Sequence, residues 1–155
     1  MFQIRRFRLG DAVSLARLHR GTIRSINKKD YTPKEITVWS GRSSVRRFQN
    51  LGKINQRYVA LESRKIVGFA DYKDHELMGL YIHKNFLGKG IGKKLLMKIE
   101  REVYANGKRT LKCISTITAR HFYEKNGFKV VKKTIHQIKD QKLPVFEMRK
   151  KLIRK

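Results

Sequence analysis

At 155 residues the chain is long enough for one domain that buries about two thirds of its unfolded surface. Lys and Arg number 38 against 12 Asp and Glu, a formal charge of +26, so the chain carries a strongly positive, salt-sensitive field that attracts polyanions. The single cysteine, Cys113, excludes an internal disulfide, no apolar run approaches a membrane span, and the 5 histidines lack ligand spacing, so no metal is expected.

Phe2 to Phe7 reads as a short strand, followed by a helix capped by Asp11 whose buried stripe uses Ala12, Leu15, Ala16, Ile23 and Ile26. Thr32-Pro33-Lys34-Glu35 is a full start signal, with Thr32 as N-cap, Pro33 in the first helical position and Glu35 closing a capping box. Val45, Phe48 and Leu51 before Gly52 predict another short helix, then strands at Arg57 to Leu61 and Lys65 to Tyr72 joined by Glu62-Ser63-Arg64. The apolar run Leu77 to Ile82 is the next strand, and Ile91, Leu95, Ile99 and Val103, with Leu96, predict a helix that stops at Asn106-Gly107. Leu111 to Ser115 reads as a strand, Thr118 as the cap of a helix over Ala119 to Lys125, and Gly127 as its end. Phe128 to Ile138 resumes extended structure, Lys139 to Lys142 turns, and Val145 to Met148 returns as the last strand. The result is a mixed α/β layer without internal repeats or Gly/Pro/Ser-rich linkers, read as one domain over 1–155.

Leu87-Gly88-Lys89-Gly90-Ile91-Gly92-Lys93-Lys94 lies between a strand and a helix, where three glycines let the backbone turn its N–H groups toward a phosphate. A P-loop needs four residues between its first Gly and Gly-Lys-Ser/Thr, and a dinucleotide fold needs Gly-x-Gly-x-x-Gly. Gly88, Gly90 and Gly92 alternate strictly, and Lys94 is followed by Leu95, so ATP and NAD are disfavoured.

The stretch Leu80 to Leu96 resembles the acetyl-CoA motif of the GNAT N-acetyltransferase superfamily, Gln/Arg-x-x-Gly-x-Gly/Ala, with Gly90 and Gly92 at the small positions and Leu87 where the family has Gln or Arg. A second stretch, Thr116-x-x-Ala119-x-x-Phe122-Tyr123-Glu124-x-x-Gly127-Phe128, is similar to the family's Asn-x-x-Ala-x-x-Phe-Tyr-x-x-x-Gly-Phe segment. A third, from Tyr31 to Trp39, resembles the Tyr-Ser/Thr-Pro-x-x-Ile/Leu-x-x-Trp stretch of YafP-like members. These resemblances imply an acetyltransferase domain of α/β (α+β) class. Its mixed, mostly antiparallel central sheet has about seven strands and about four to five flanking helices, and it splays at the acetyl-CoA site.

In such a fold the backbone of Leu80, Tyr81 and Ile82 pairs with the pantetheine arm, and the loop Leu87, Gly88, Lys89, Gly90, Ile91, Gly92 and Lys93 cradles the diphosphate. Gly79 suits a bulge or splay in that strand. Thr116 stands where the family bonds the pantetheine amide through Asn, and a hydroxyl also donates or accepts. The implied reaction is attack by an amine on the thioester. An amine with pKa about three units above the working pH loses its proton at a cost of about 4 kcal/mol, which a base lowers. Glu76 is the candidate base, placed on one face with Met78 and Leu80; Asp71 and His75 are reserves, and Asp74 also reads as an ordinary turn residue. Tyr123 matches the general acid for the leaving thiolate. Full transfer from a phenol near 10 to a thiolate near 8.5 is uphill by about 2 kcal/mol, so hydrogen bonding to sulfur carries much of that role. Tyr31, Trp39 and Asp71 are candidate acceptor-pocket residues, Trp39 also fitting the core on the stripe of Ile36.

The expected partners are acetyl-CoA as co-substrate and an amine on a small molecule or protein, in a monomer or homodimer, without metal or membrane. A cytoplasmic site fits Cys113 in an apolar strand, which reads as core. The alternative is a nucleic-acid- or ribosome-binding module, or an acetyltransferase acting on an RNA-linked or ribosomal-protein amine. It is not favoured, because paired strand aromatics, zinc knuckles and Gly-x-x-Gly clamps are missing from the sequence.

Overall fold

The computed structural model describes residues 2–154. Strand β1 (Gln3–Arg6) leads into helix α1 (Ala12–Ser25), and α2 (Pro33–Ser40) and α3 (Val45–Leu51) follow. Next come β2 (Gln56–Glu62), β3 (Lys65–Lys73), β4 (Glu76–Ile82) and α4 (Ile91–Ala105). The chain then forms β5 (Thr110–Thr116), α5 (Arg120–Lys125), β6 (Lys129–Ile138) and β7 (Gln141–Lys151). Among the described residues the strands form one 7-stranded sheet in the order β1-β2-β3-β4-β5-β7-β6. Every adjacent pair is antiparallel except β4 with β5. This is the mostly antiparallel mixed sheet and five-helix layer expected from the sequence.

Two apolar layers cover the sheet. Leu95, Leu96, Ile99 and Val103 of α4 pack with Tyr72, Leu77, Leu111, Cys113 and Met148 on one face. Ala12, Leu15, Ala16 and Leu18 of α1 pack with Phe48, Val59 and Phe69 on the other. Each helix buries a stripe recurring every three or four residues, and the strands present alternate residues to the two layers. No helix among the described residues is long and apolar enough to cross a membrane.

The capping box of α2 forms as expected: the Glu35 amide donates to Thr32 Oγ1 at 3.2 Å and the Thr32 amide to Glu35 Oε1 at 2.8 Å. Asp11 does not cap α1. Its carboxylate accepts from the Arg8 amide at 2.8 Å and from the Arg5 guanidinium at 2.8 and 3.0 Å, so a charge-assisted pair with β1 replaces the cap. Thr118 does not cap α5 either, because its hydroxyl donates to Asp30 at 2.7 Å; the Ala119 amide is instead satisfied by Thr116 Oγ1 at 3.0 Å. The last strand begins earlier than expected, at Gln141, leaving only Lys139 and Asp140 to turn. Pro144 is accommodated there because β5 pairs with β7 only from Val145, so one side of Pro144 has no strand neighbour.

A bulge in β4 matters most for the site. Leu77 pairs with Tyr72 and Gly79 with Asp71, which leaves Met78 without an opposite residue. The extra residue inverts the alternation along the strand. Leu77 lies in the α4-side core, and Leu80 and Ile82 pack against that same core. Glu76, one residue before Leu77, therefore faces the α1 side, and the expectation that Glu76, Met78 and Leu80 share a face is corrected.

Candidate active site

The gap between β4 and β5 makes the site. These parallel strands pair only through Glu76 with Lys112 and Leu77 with Cys113. Beyond those two pairs the β4 edge from Gly79 to Ile82 borders a cleft of about 340 Å³, with Ile114 and Thr116 across it and Phe122 and Tyr123 at its end. This is the predicted splay, adjoining the bulge that Gly79 suggested. Met78, Leu87 and Ile114 are 52%, 51% and 46% exposed, so the cleft walls leave apolar surface waiting for a ligand.

The mouth of the cleft is the glycine loop. Gly88 and Gly90 have φ of +75° and +81°, a region that side-chain-bearing residues rarely adopt. Gly90 ends the loop in this left-handed conformation and is the N-cap of α4. Gly92 serves a different purpose, since an added Cβ would meet the Phe122 ring at 3.2 Å. The first amide consumed inside α4 is that of Lys94, which donates to Gly90 O at 3.1 Å. The amides of Ile91, Gly92 and Lys93 thus precede the helical ladder at the positive end of a 15-residue helix.

At the inner end Tyr123 is buried, edge-on to both Phe122 and Phe128 with centroids 5.3 Å apart. Burial, with smaller contributions from Cys113 and Tyr81, holds its phenol well above 10, so it keeps its proton at neutral pH. Tyr81 stands on the α1 side of β4, stacked on Phe69 at 5.4 Å. Burial and then Asp71 push it up to about 12, while a hydrogen bond with Trp39 and the guanidiniums of Arg47 and Arg42 act in the opposite direction. Thr116 lines the cleft with its oxygen already accepting the Ala119 amide, leaving the hydroxyl proton to donate.

Several sequence candidates lie outside the cleft lining. The Tyr31 hydroxyl donates to Pro144 O at 2.7 Å and accepts from the Ile117 amide at 2.9 Å, and its ring meets Trp39 edge-on at 5.5 Å. Both aromatics are buried with Ile23, Ile36, Ile138 and Leu143, so they brace the cleft from behind. Asp71 is buried with both oxygens on Arg57, at 2.5 and 2.7 Å. Asp74 holds His75 at 2.7 Å and lies 3.6 Å from Lys108. Glu76 is half-buried at the closed end of the splay, on the face shared with Asp71 and Tyr81. Asn27 is a lining residue that sequence reading missed: it comes from a short 3₁₀ turn, Asn27–Lys29, where no periodicity marks a buried side.

A cleft that is apolar along an open strand edge and anion-seeking at a helix start suits an acyl thioester carried on a diphosphate, and with it the class of acyltransferases. Residues 27–152 match the family model described as the acetyltransferase (GNAT) domain, and the chain belongs to that family. It is 27% identical over 133 residues to the uncharacterized N-acetyltransferase YafP of Escherichia coli K12, covering 84% of this chain and 83% of that one. Among solved structures it superposes on a GCN5-related N-acetyltransferase from Rhodopseudomonas palustris with a TM-score of 0.93, at 22% identity over 97% of this chain and 95% of the other. The PaiA N-acetyltransferase of Thermoplasma acidophilum, solved in complex with coenzyme A, is similar with a TM-score of 0.80 and 22% identity, over 97% and 99% of the two chains.

Proposed function

We propose that the protein transfers an acetyl group from acetyl-CoA to a primary amine by direct attack of the amine on the thioester. The observation that carries this reading is the unpaired β4 edge leading to the free amides of α4, a geometry made for an extended thioester arm with a diphosphate tail. The coenzyme A complex of the Thermoplasma relative supports the same ligand. Backbone groups of Leu80, Tyr81 and Ile82 would align the arm, Thr116 would donate to it, and Gly88 to Lys93 would hold its phosphates. Leu87 contributes an apolar wall in place of a polar contact.

Tyr123 keeps its proton and is proposed to donate to the departing sulfur. For the base, the existing commitments of the acids favour Glu76. Asp71 is consumed by Arg57 and Asp74 by His75, whereas the Glu76 side chain forms no hydrogen bond or ion pair within the described residues. Glu76 therefore takes the amine proton, through water, on the face of the sheet opposite α4. Titration with acetyl-CoA should raise the melting temperature at micromolar concentration. Tyr123→Phe and Glu76→Gln should each lower kcat about 10-fold or more while leaving acetyl-CoA affinity within about threefold. Full activity in both variants would refute these assignments.

A further inference from the structure

We propose that the acceptor is an amine that also carries a carboxylate or phosphate, and that Arg42 and Arg47 hold this anionic group on the α1 side of the sheet. The inference rests on the acetyl-transfer reading above and names the substrate class for it. The segment joining α2 to α3 is anchored against Tyr81, one of the cleft-lining residues of β4. Buried Ser43 lies 2.5 Å from His19 Nδ1, and the His19 ring stands edge-on to Tyr81 at 4.6 Å and to Phe48 at 5.3 Å. Arg42 precedes Ser43 and Arg47 precedes Phe48, so both arginines sit on the segment that His19 braces against Tyr81. From the opposite side β6 brings His136, whose Nε2 is 3.2 Å from Arg42 Nη1. Accepting that bond requires a neutral imidazole, and burial together with the two guanidiniums lowers its pKa.

No carboxylate forms a direct ion pair with this cluster among the described residues, although Asp71 acts on Arg47 from a distance. Arg42 and Arg47 are both half-buried, and neither forms an ion pair among the described residues. Arg20 adds a third guanidinium, donating to Ser43 O at 2.6 Å. Of the acids on this face, Asp71 is closed off by Arg57 and Glu76 is assigned to the amine proton. Burial first, and Arg42 second, depress Arg47, as expected for like charges held together away from water. Exposed lysines elsewhere keep their hydration, but a partly dried guanidinium pair gains most from a planar group with two or more oxygens, which its fork of donors matches. Tyr81 lines the same cleft as Tyr123, and its ring contacts the His19 that holds the arginine segment, so one small molecule can place its amine at the thioester and its anion toward the arginines.

The test compares matched amines that differ only in the anionic group: an amino acid with its amide, and phosphoethanolamine with ethanolamine. Wild-type kcat/KM should favour at least one anionic member by about 10-fold or more, the value of a good charge-assisted pair. Arg42→Gln with Arg47→Gln should remove that preference, whereas Lys65→Gln with Lys129→Gln, which deletes two exposed cations elsewhere, should retain it. The carboxylate and phosphate arms distinguish the two sources of the anion. Equal rates for charged and neutral members of both pairs, or a preference that survives the arginine replacements, would overturn the proposal. If no member is turned over, calorimetric binding of the same pairs to the coenzyme A-saturated protein decides by the same criteria. Acetyl-CoA thermal protection, measured separately, reports on the transfer reading, so its failure is not confused with failure of the anion site.

Discussion

Gly92 lies so close beneath Phe122 that an added Cβ would meet two carbons of the ring at 3.2 Å. The first turn of α4 is thereby locked to α5, tying the phosphate end of the cleft to the helix that carries Tyr123. Gly92→Ala is expected to fold, because the ring can give by a few tenths of an ångström. It should weaken acetyl-CoA binding about 10-fold by shifting the amides that a diphosphate needs. Gly90→Ala must hold φ at +81°, and its cost of about 1 kcal/mol or more falls on loop conformation as well as binding. Gly10→Ala meets nothing within 4 Å and is the neutral control. Calorimetric titration with acetyl-CoA, paired with melting temperatures, separates these outcomes.

The Arg57–Asp71 pair makes a contrasting prediction. Arg57 also donates to Phe48 O at 2.8 Å and stacks over Phe7 and Phe48, so its charge is fixed inside the α1-side layer. Removing one partner leaves the other buried and unpaired, and Asp71→Asn should cost about 3 kcal/mol or more. Replacing both, with Arg57→Met, should recover a substantial part. Chemical denaturation reads the difference. A stable Asp71→Asn with lost activity would instead return Asp71 to the acceptor pocket.

Features set by near neighbours in the chain were legible in the sequence. The four-residue stripe of α4 and the Thr32–Glu35 box depend on residues one turn apart, and the structure reproduces both. Features settled by distant partners were not. Asp11 and Thr118 carry good caps, but Arg5 and Asp30 reach them first. Tyr31 matches a motif that suggested a pocket lining, yet its hydroxyl is taken by Pro144 and Ile117, far along the chain. Gly79 signalled irregularity in β4, but only the observed register shows that the extra residue is Met78, and that single slip decides which face Glu76 occupies. Asp71 looked free for chemistry until the pairing of β2 with β3 set it opposite Arg57.

His19 gives a pH prediction with a defined sign. Burial foremost, and then Arg47, Arg42 and Arg20, lower its pKa from 6.5 to about 3. The unfolded chain therefore binds a proton below 6.5 that the folded protein refuses until about 3. Stability contributed by the neutral ring is complete above 6.5 and is lost as pH falls toward 3. Between pH 6.5 and 5, above the carboxylate range, the unfolding free energy should drop by up to about 1.4 kcal/mol per unit. His19→Gln should flatten that slope by one proton while lowering stability at pH 7 through loss of the bond to Ser43. Denaturant melts across this range measure both, and an unchanged slope would show that His19 titrates normally.

Asn27 yields the sharpest separation of stability from function. It is only 5% exposed, yet it lines the cleft, and within the described residues nothing hydrogen-bonds its carboxamide. With no protein partner the carboxamide faces the open cleft, so an apolar side chain of similar size breaks no hydrogen bond of the fold. Asn27→Leu should therefore melt no lower than wild type. A ligand in the cleft reverses the balance, because the amide offers both a donor and an acceptor to groups along an extended arm or to the incoming amine. The same variant should lose about 10-fold in kcat/KM, with the change in KM for acetyl-CoA or for the amine identifying which of the two it contacts. Parallel losses of melting temperature and activity would instead make Asn27 a structural residue.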